Sequence, residues 1–129
     1  MTDSIDDLRR FIRAFLSQHG QAVPPKRATS RKEHLEVWTI GVKRRVAGFE
    51  MKHAGLVNIW VTNLNVPSDL PASVEIAHKT PTGIEWTDVN GDGANSNLSF
   101  YDGFPTRRIA RLGVTTIADA RAILTHLNR

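Results

Sequence analysis

Five groups of residues in this chain of 129 have types and spacings that could do chemistry. Asp88, Asn90 and Asp92 put side-chain oxygens at alternate positions, and Gly93 follows them with the freedom to turn sharply. Oxygen ligands so spaced can surround a hard cation such as calcium. Glu50 and Lys52 stand two apart, on one side of any strand that contains them. Such a pair can hold a magnesium ion on the carboxylate while the lysine steadies a water or a phosphate. Lys43, Arg44 and Arg45 are consecutive, and Arg107, Arg108 and Arg111 form a second basic group, so both offer donors to phosphate oxygens. Trp38, Trp60 and Trp86 are spread through apolar stretches, and an exposed Trp next to basic residues can stack on the bases of a single strand. Trp60 lies on the face opposite Val57, Ile59 and Val61, which makes it the candidate for that exposed position.

The Asp88-Val89-Asn90-Gly91-Asp92-Gly93 stretch, continued by Ala94 and Asn95, resembles the calcium loops of dockerins and EF-hands. It departs from them at position twelve, which is Ser99 where an acidic ligand is usual, and the next carboxylate is Asp102. The same Asn-Gly and Asp-Gly pairs also suit a plain hairpin turn, because they accept positive φ at low cost. Glu50-Met51-Lys52 resembles the second half of the motif of restriction-type nucleases. No Asp lies between Asp7 and Asp69 to supply the first half, so Glu33 or Glu36 would have to, with His34 and His53 nearby. An alternating charged pair is equally at home on a solvated strand face. The run from Arg107 to Ala120 resembles the hairpin of helix-hairpin-helix DNA-binding modules, with Leu112-Gly113-Val114 as the turn and Thr116 and Ile117 opening the next helix. That resemblance implies that Gly113 and the turn amides, flanked by Arg107, Arg108 and Arg111, hold a backbone phosphate. A single hairpin is present where the family usually pairs two.

These residues need elements to position them. Ser4 as a cap, Asp6 and Asp7 in the first turn, and apolar residues from Ile5 to Leu16 at three- and four-residue spacing predict a helix ending at Gly20. Residues 21–33, with Pro24-Pro25 and no apolar periodicity, read as a basic linker. Strand candidates follow at His34–Val42, Val46–His53, Leu56–Thr62, Ser73–Lys79 and Gly83–Val89, rich in β-branched and aromatic residues. Their short connections favour antiparallel pairing. The polar stretch after Val89 must be a loop. Thr106–Val114 fits either a helix after Pro105 or a strand, and the spacing of Ile109 and Leu112 tips the reading to helix. A final helix runs from Thr116 to about Leu127, with Thr116 as cap and Ile117, Ala120, Ile123, Leu124 and Leu127 as its apolar stripe. The expected architecture is a single α+β domain over 1–129. It comprises an N-terminal helix over 1–20, the linker over 21–33, a four- to five-stranded antiparallel sheet over 34–89, and a loop and C-terminal helical segment over 90–129, with both helices packed on one sheet face.

Composition narrows the function classes. The chain has no cysteine, so disulfides, thiolate-ligated zinc and thiol nucleophiles are excluded. No apolar run approaches a membrane span, and the acidic N-terminus does not read as a signal peptide, so the expectation is a soluble cytoplasmic protein with no membrane partner. The net charge of +4 is unevenly spread. Lys26, Arg27, Arg31, Lys32, Lys43, Arg44, Arg45 and Lys52 face only Glu33, Glu36 and Glu50 in residues 21–68, whereas 69–102 holds Lys79 against Asp69, Glu75, Glu85, Asp88, Asp92 and Asp102. Residues 103–129 are basic again. Segregated charge points to a charged partner, unless the fold brings opposite blocks together. The first expectation is therefore a non-catalytic nucleic-acid-binding or DNA-associated accessory domain without a cofactor. A protein-interaction domain, an inhibitor or adaptor, is the second, and a metal-dependent hydrolase or nuclease using Glu50 and Lys52 the third.

Overall fold

A computed structural model describes residues 3–25, 35–82, 85–87, 98, 101, 104 and 108–129. It is an α+β structure of two helices and an open antiparallel sheet. Helix α1 spans Ile5–His19; Ser4 Oγ accepts from the Asp7 amide at 3.1 Å, Asp6 and Asp7 meet the positive end of the dipole, and Gly20 ends it. Strand β1 (Gly20–Ala22) follows at once, then β2 (Glu36–Ile40), β3 (Arg45–Glu50), β4 (Val57–Thr62) and a short 3-10 turn at Asn63–Asn65. Then come β5 (Glu75–Thr82), β6 (Glu85–Thr87), β7 (Ile109–Val114) and helix α2 (Ile117–Leu127). Six strands pair in the order β1-β2-β3-β4-β7-β5, and β6 adds to the far end of β5.

Three expectations are corrected here. The sheet has more than four to five strands, because both ends of the chain contribute to it. Residues Gly20–Ala22, read as helix end and linker, pair with Trp38–Ile40, and the Val23 amide donates to the Val37 carbonyl at 2.8 Å. The segment read as helical after Pro105 is instead strand β7, the neighbour of both β4 and β5. Its alternation of Ala110, Leu112 and Val114 was the informative pattern. An inner strand with partners on both sides satisfies every amide and carbonyl through the ladder, which outweighs a weak local helix preference.

One apolar cluster joins Leu8, Ile12 and Leu16 of α1 and Ala120, Ile123, Leu124 and Leu127 of α2 to sheet residues including Phe49, Ile59, Val61 and Leu112. A second cluster lies on residues of opposite parity: Leu35, Val37, Trp60 and Ile109 pack with Leu98, Tyr101 and Phe104. Both faces of the sheet are thus covered over part of their length. Gly48 makes the second layer possible, since a Cβ there would come within 3.1 Å of Leu35 and 3.3 Å of Leu98. The helices are tied at their ends. Asp3 Oδ2 accepts from the Ile117 amide at 2.7 Å and the Asp3 amide donates to the Thr115 carbonyl, so the start of the chain holds the N-terminus of α2.

Candidate functional site

The connection between β2 and β3 is a four-residue turn, Gly41–Arg44, closed by the Arg44 amide on the Gly41 carbonyl at 3.1 Å. Gly41 has φ 73° and packs so close to the end of α2 that a Cβ would meet Asn128 at 2.9 Å, which only glycine tolerates. Val42 and Lys43 occupy the tip and are exposed, and Arg44, also exposed, takes a left-handed φ of 51°. Arg45 begins β3 on the helix side of the sheet, where its guanidinium donates to the His126 carbonyl near the end of α2. The cation adds a charged donor at the negative end of the helix dipole, to a carbonyl that also accepts from the Arg129 amide at 3.3 Å.

The same end of the sheet carries the second basic segment. The β3–β4 register, extended by two pairs, sets Arg45 beside Asn63, and the Asn63 amide donates to the Arg108 carbonyl at 2.8 Å. Arg45 and Arg108 are thus two strand spacings apart, about 10 Å between backbones. Arg108 is exposed and, with Thr62, Asn63 and Leu64, lines a shallow hollow of about 250 Å³. Arg129 follows α2 at this end. The His126 imidazole senses the field: its pKa is lowered from the ordinary 6.5, first by burial, then by Arg45 and Arg129, with Asp69 opposing.

Ion pairing distinguishes these cations from those of α1. Arg9 pairs with Asp6, Arg10 with Asp7, and Arg13 reaches Glu36 at 2.7 Å. Among the described residues, Lys43, Arg44, Arg45, Arg108 and Arg129 make no ion pair.

The other site residues read from sequence fall elsewhere. Trp60, expected at the surface, is 2% exposed. It does lie on the face opposite Val57, Ile59 and Val61, but the second apolar layer covers that face, and its indole N–H donates to Glu50 Oε1. It therefore offers no stacking platform. Arg111 sits with its guanidinium 5.9 Å from the Trp60 ring centroid, a cation–π contact. Gly113 is a buried residue of an inner strand between Asn58 and Glu75, so Leu112-Gly113-Val114 is not a hairpin turn and presents no free amides to a phosphate. Arg111 and Gly113 instead help line a separate polar cleft of about 320 Å³ with His53, Asn58 and Glu75.

Of the two candidates for the missing half of the nuclease motif, the described one, Glu36, does not join Glu50 and Lys52. Glu36 stands opposite Phe49, which belongs to the helix-side cluster, and Glu50 points to the other face. Glu33 and His34 lie outside the described residues, as do Asp88, Asn90, Asp92 and Arg107. Among the described residues no group of three carboxylates or histidines could hold a metal ion, and no helix is long and apolar enough to cross a membrane. The residues that sequence reasoning missed are Val42, Leu64 and Arg129. Val42 adjoins Lys43 in sequence, but Leu64 reaches the Lys43–Arg45 end only through the β3–β4 pairing and Arg129 only through the docking of α2 against Gly41 and Arg45. Comparisons with family models, curated proteins and solved structures each return no match.

Proposed function

We propose that the chain is a non-catalytic nucleic-acid-binding accessory domain that grips backbone phosphates with Lys43, Arg44, Arg45 and Arg108, joined by Arg129. The observation that carries this reading is the convergence of three basic segments, far apart in sequence, at one end of the sheet with no carboxylate pairing them among the described residues. Cations that make no ion pair, in a fold where the arginines of α1 are paired, are available to a polyanion. Arg107 belongs to the same basic sequence run and extends the proposal beyond the described residues. A cysteine-free chain suits the reducing cytoplasm, where such a partner would be met.

Titration of a labelled oligonucleotide, single- and double-stranded, tests the proposal. Affinity should fall linearly with the logarithm of salt between ~50 and ~200 mM. Replacing Lys43, Arg44 and Arg108 with Ala should weaken binding for all sequences and reduce the salt slope by roughly one per residue. Arg10→Ala, which removes a cation already paired with Asp7, should change neither. Wild-type protein that binds no oligonucleotide at ~50 mM salt disproves the reading.

A further inference from the structure

Three large hydrophobic residues are exposed among those described, and two stand at the basic end: Val42 at 92% and Leu64 at 85%. The third, Ile76, is only 44% exposed and lies on β5. Val42 is flanked in sequence by Gly41 and Lys43 at the tip of the β2–β3 turn, and Leu64 shares its hollow with Arg108. The two turns leave the same end of the sheet, since β2 and β3 join there and β4, antiparallel beside β3, finishes there. Neither residue has a packing role that accounts for it: neither belongs to either apolar cluster. Water-exposed aliphatic side chains held at turn tips between cations are a costly arrangement unless something covers them.

We infer that Val42 and Leu64 form an apolar wedge that enters the base stack of a nucleic acid whose phosphates are held by Lys43, Arg44 and Arg108. The inference rests on the phosphate-binding reading and names what that surface does to its ligand. The chemistry is matched on both counts. A nucleic acid alone among polyanions places apolar base faces within a few ångströms of its phosphates, and aliphatic wedges flanked by basic side chains open base steps at modest cost, least where bases are unpaired or a pyrimidine–purine step is soft. An anionic membrane also combines charge with an apolar interior, but it fits less well. Val42 and Leu64 together bury fewer carbons than one myristoyl chain, which by itself gives only marginal binding. A single base step needs no more than one such side chain.

The test uses the full chain with oligonucleotides carrying one 2-aminopurine, whose fluorescence rises when it unstacks, and with vesicles of phosphatidylcholine and phosphatidylserine. Wild type should raise the fluorescence at saturation. Leu64→Ser and Val42→Ser should each bind several-fold more weakly, with the double variant lower again, an unchanged salt slope and no fluorescence rise. Both positions are solvent-exposed, so melting temperatures should match wild type and a folding defect is separable. Oligonucleotide binding with wild-type affinity and salt slope in the double variant overturns the wedge and leaves the phosphate reading standing. Absence of oligonucleotide binding by wild type overturns both. Vesicle binding lost in Leu64→Ser, without any unstacking of the oligonucleotide, overturns the wedge in favour of a membrane surface.

Discussion

Trp60 shows how much one side chain settles. Its ring fills the second layer, its N–H is taken by Glu50 and its face by Arg111, so three residues from β3, β4 and β7 are locked in one arrangement. Trp60→Phe keeps most of the volume but removes the donor from a carboxylate, and should cost about 1–3 kcal/mol in a denaturant titration. An oligonucleotide should quench the emission of wild type and of this variant by the same proportion of the remaining signal, since a buried indole does not stack on bases. His126 offers a second check at this scale. Its folded pKa lies below 6.5, so between that value and 6.5 the unfolded chain binds more protons than the folded one. Its contribution to stability is present above pH 6.5 and declines as pH falls through that window. Arg45→Gln should move the imidazole titration, followed by NMR, back towards 6.5, because one of the two depressing charges is gone.

At the scale of elements, both helices were legible because their signals are local. Ser4 and Thr116 each accept from the amide three residues on, at 3.1 Å, as the cap patterns implied, and the apolar stripes face the core. Asp119, the acidic residue of the second cap pattern, does something the pattern did not specify: its carboxylate accepts from Ser73 Oγ at 2.6 Å and ties α2 to the segment before β5. Thr116→Ala should cost about 1 kcal/mol by thermal or chemical denaturation. Asp3, which shares the same helix end, should limit that loss by continuing to accept from the Ile117 amide. The strands were legible in kind but not in number. β1 is three residues long and reads as a helix end, and β7 carries Gly113 in its interior, where glycine usually signals a break.

For the whole molecule, the sheet is covered on the helix side by one cluster and, over part of the other side, by Leu98, Tyr101 and Phe104. Phe104 and Leu98 are fully buried. Phe104→Ala should therefore destabilise the protein by about 3–5 kcal/mol, measured by denaturant midpoint, where an unpacked loop residue would register almost nothing. The segregated charge of the sequence takes its meaning at this scale too. The basic stretch around residues 43–45 and the basic stretch at 108 meet end to end through the β3–β4–β7 ladder, while the arginines of α1 are spent on Asp6, Asp7 and Glu36.

Caps, apolar stripes and β-rich runs determined two helices, most of the strands and their antiparallel pairing, because each depends on residues within a few positions of one another. The face that Trp60 shares was also readable, since alternation fixes parity along a strand. What alternation does not carry is whether a given face is covered, and that depended on Leu98, Tyr101 and Phe104, some forty residues from Trp60 in the chain. The order β4-β7-β5 was likewise invisible locally: pairing between distant strands is selected by the total burial and hydrogen bonding of the closed sheet. The β2–β3–β4–β7 pairing and the docking of α2 bring the basic residues 43–45, 108 and 129 to one end of the sheet, where Val42 and Leu64 are also exposed.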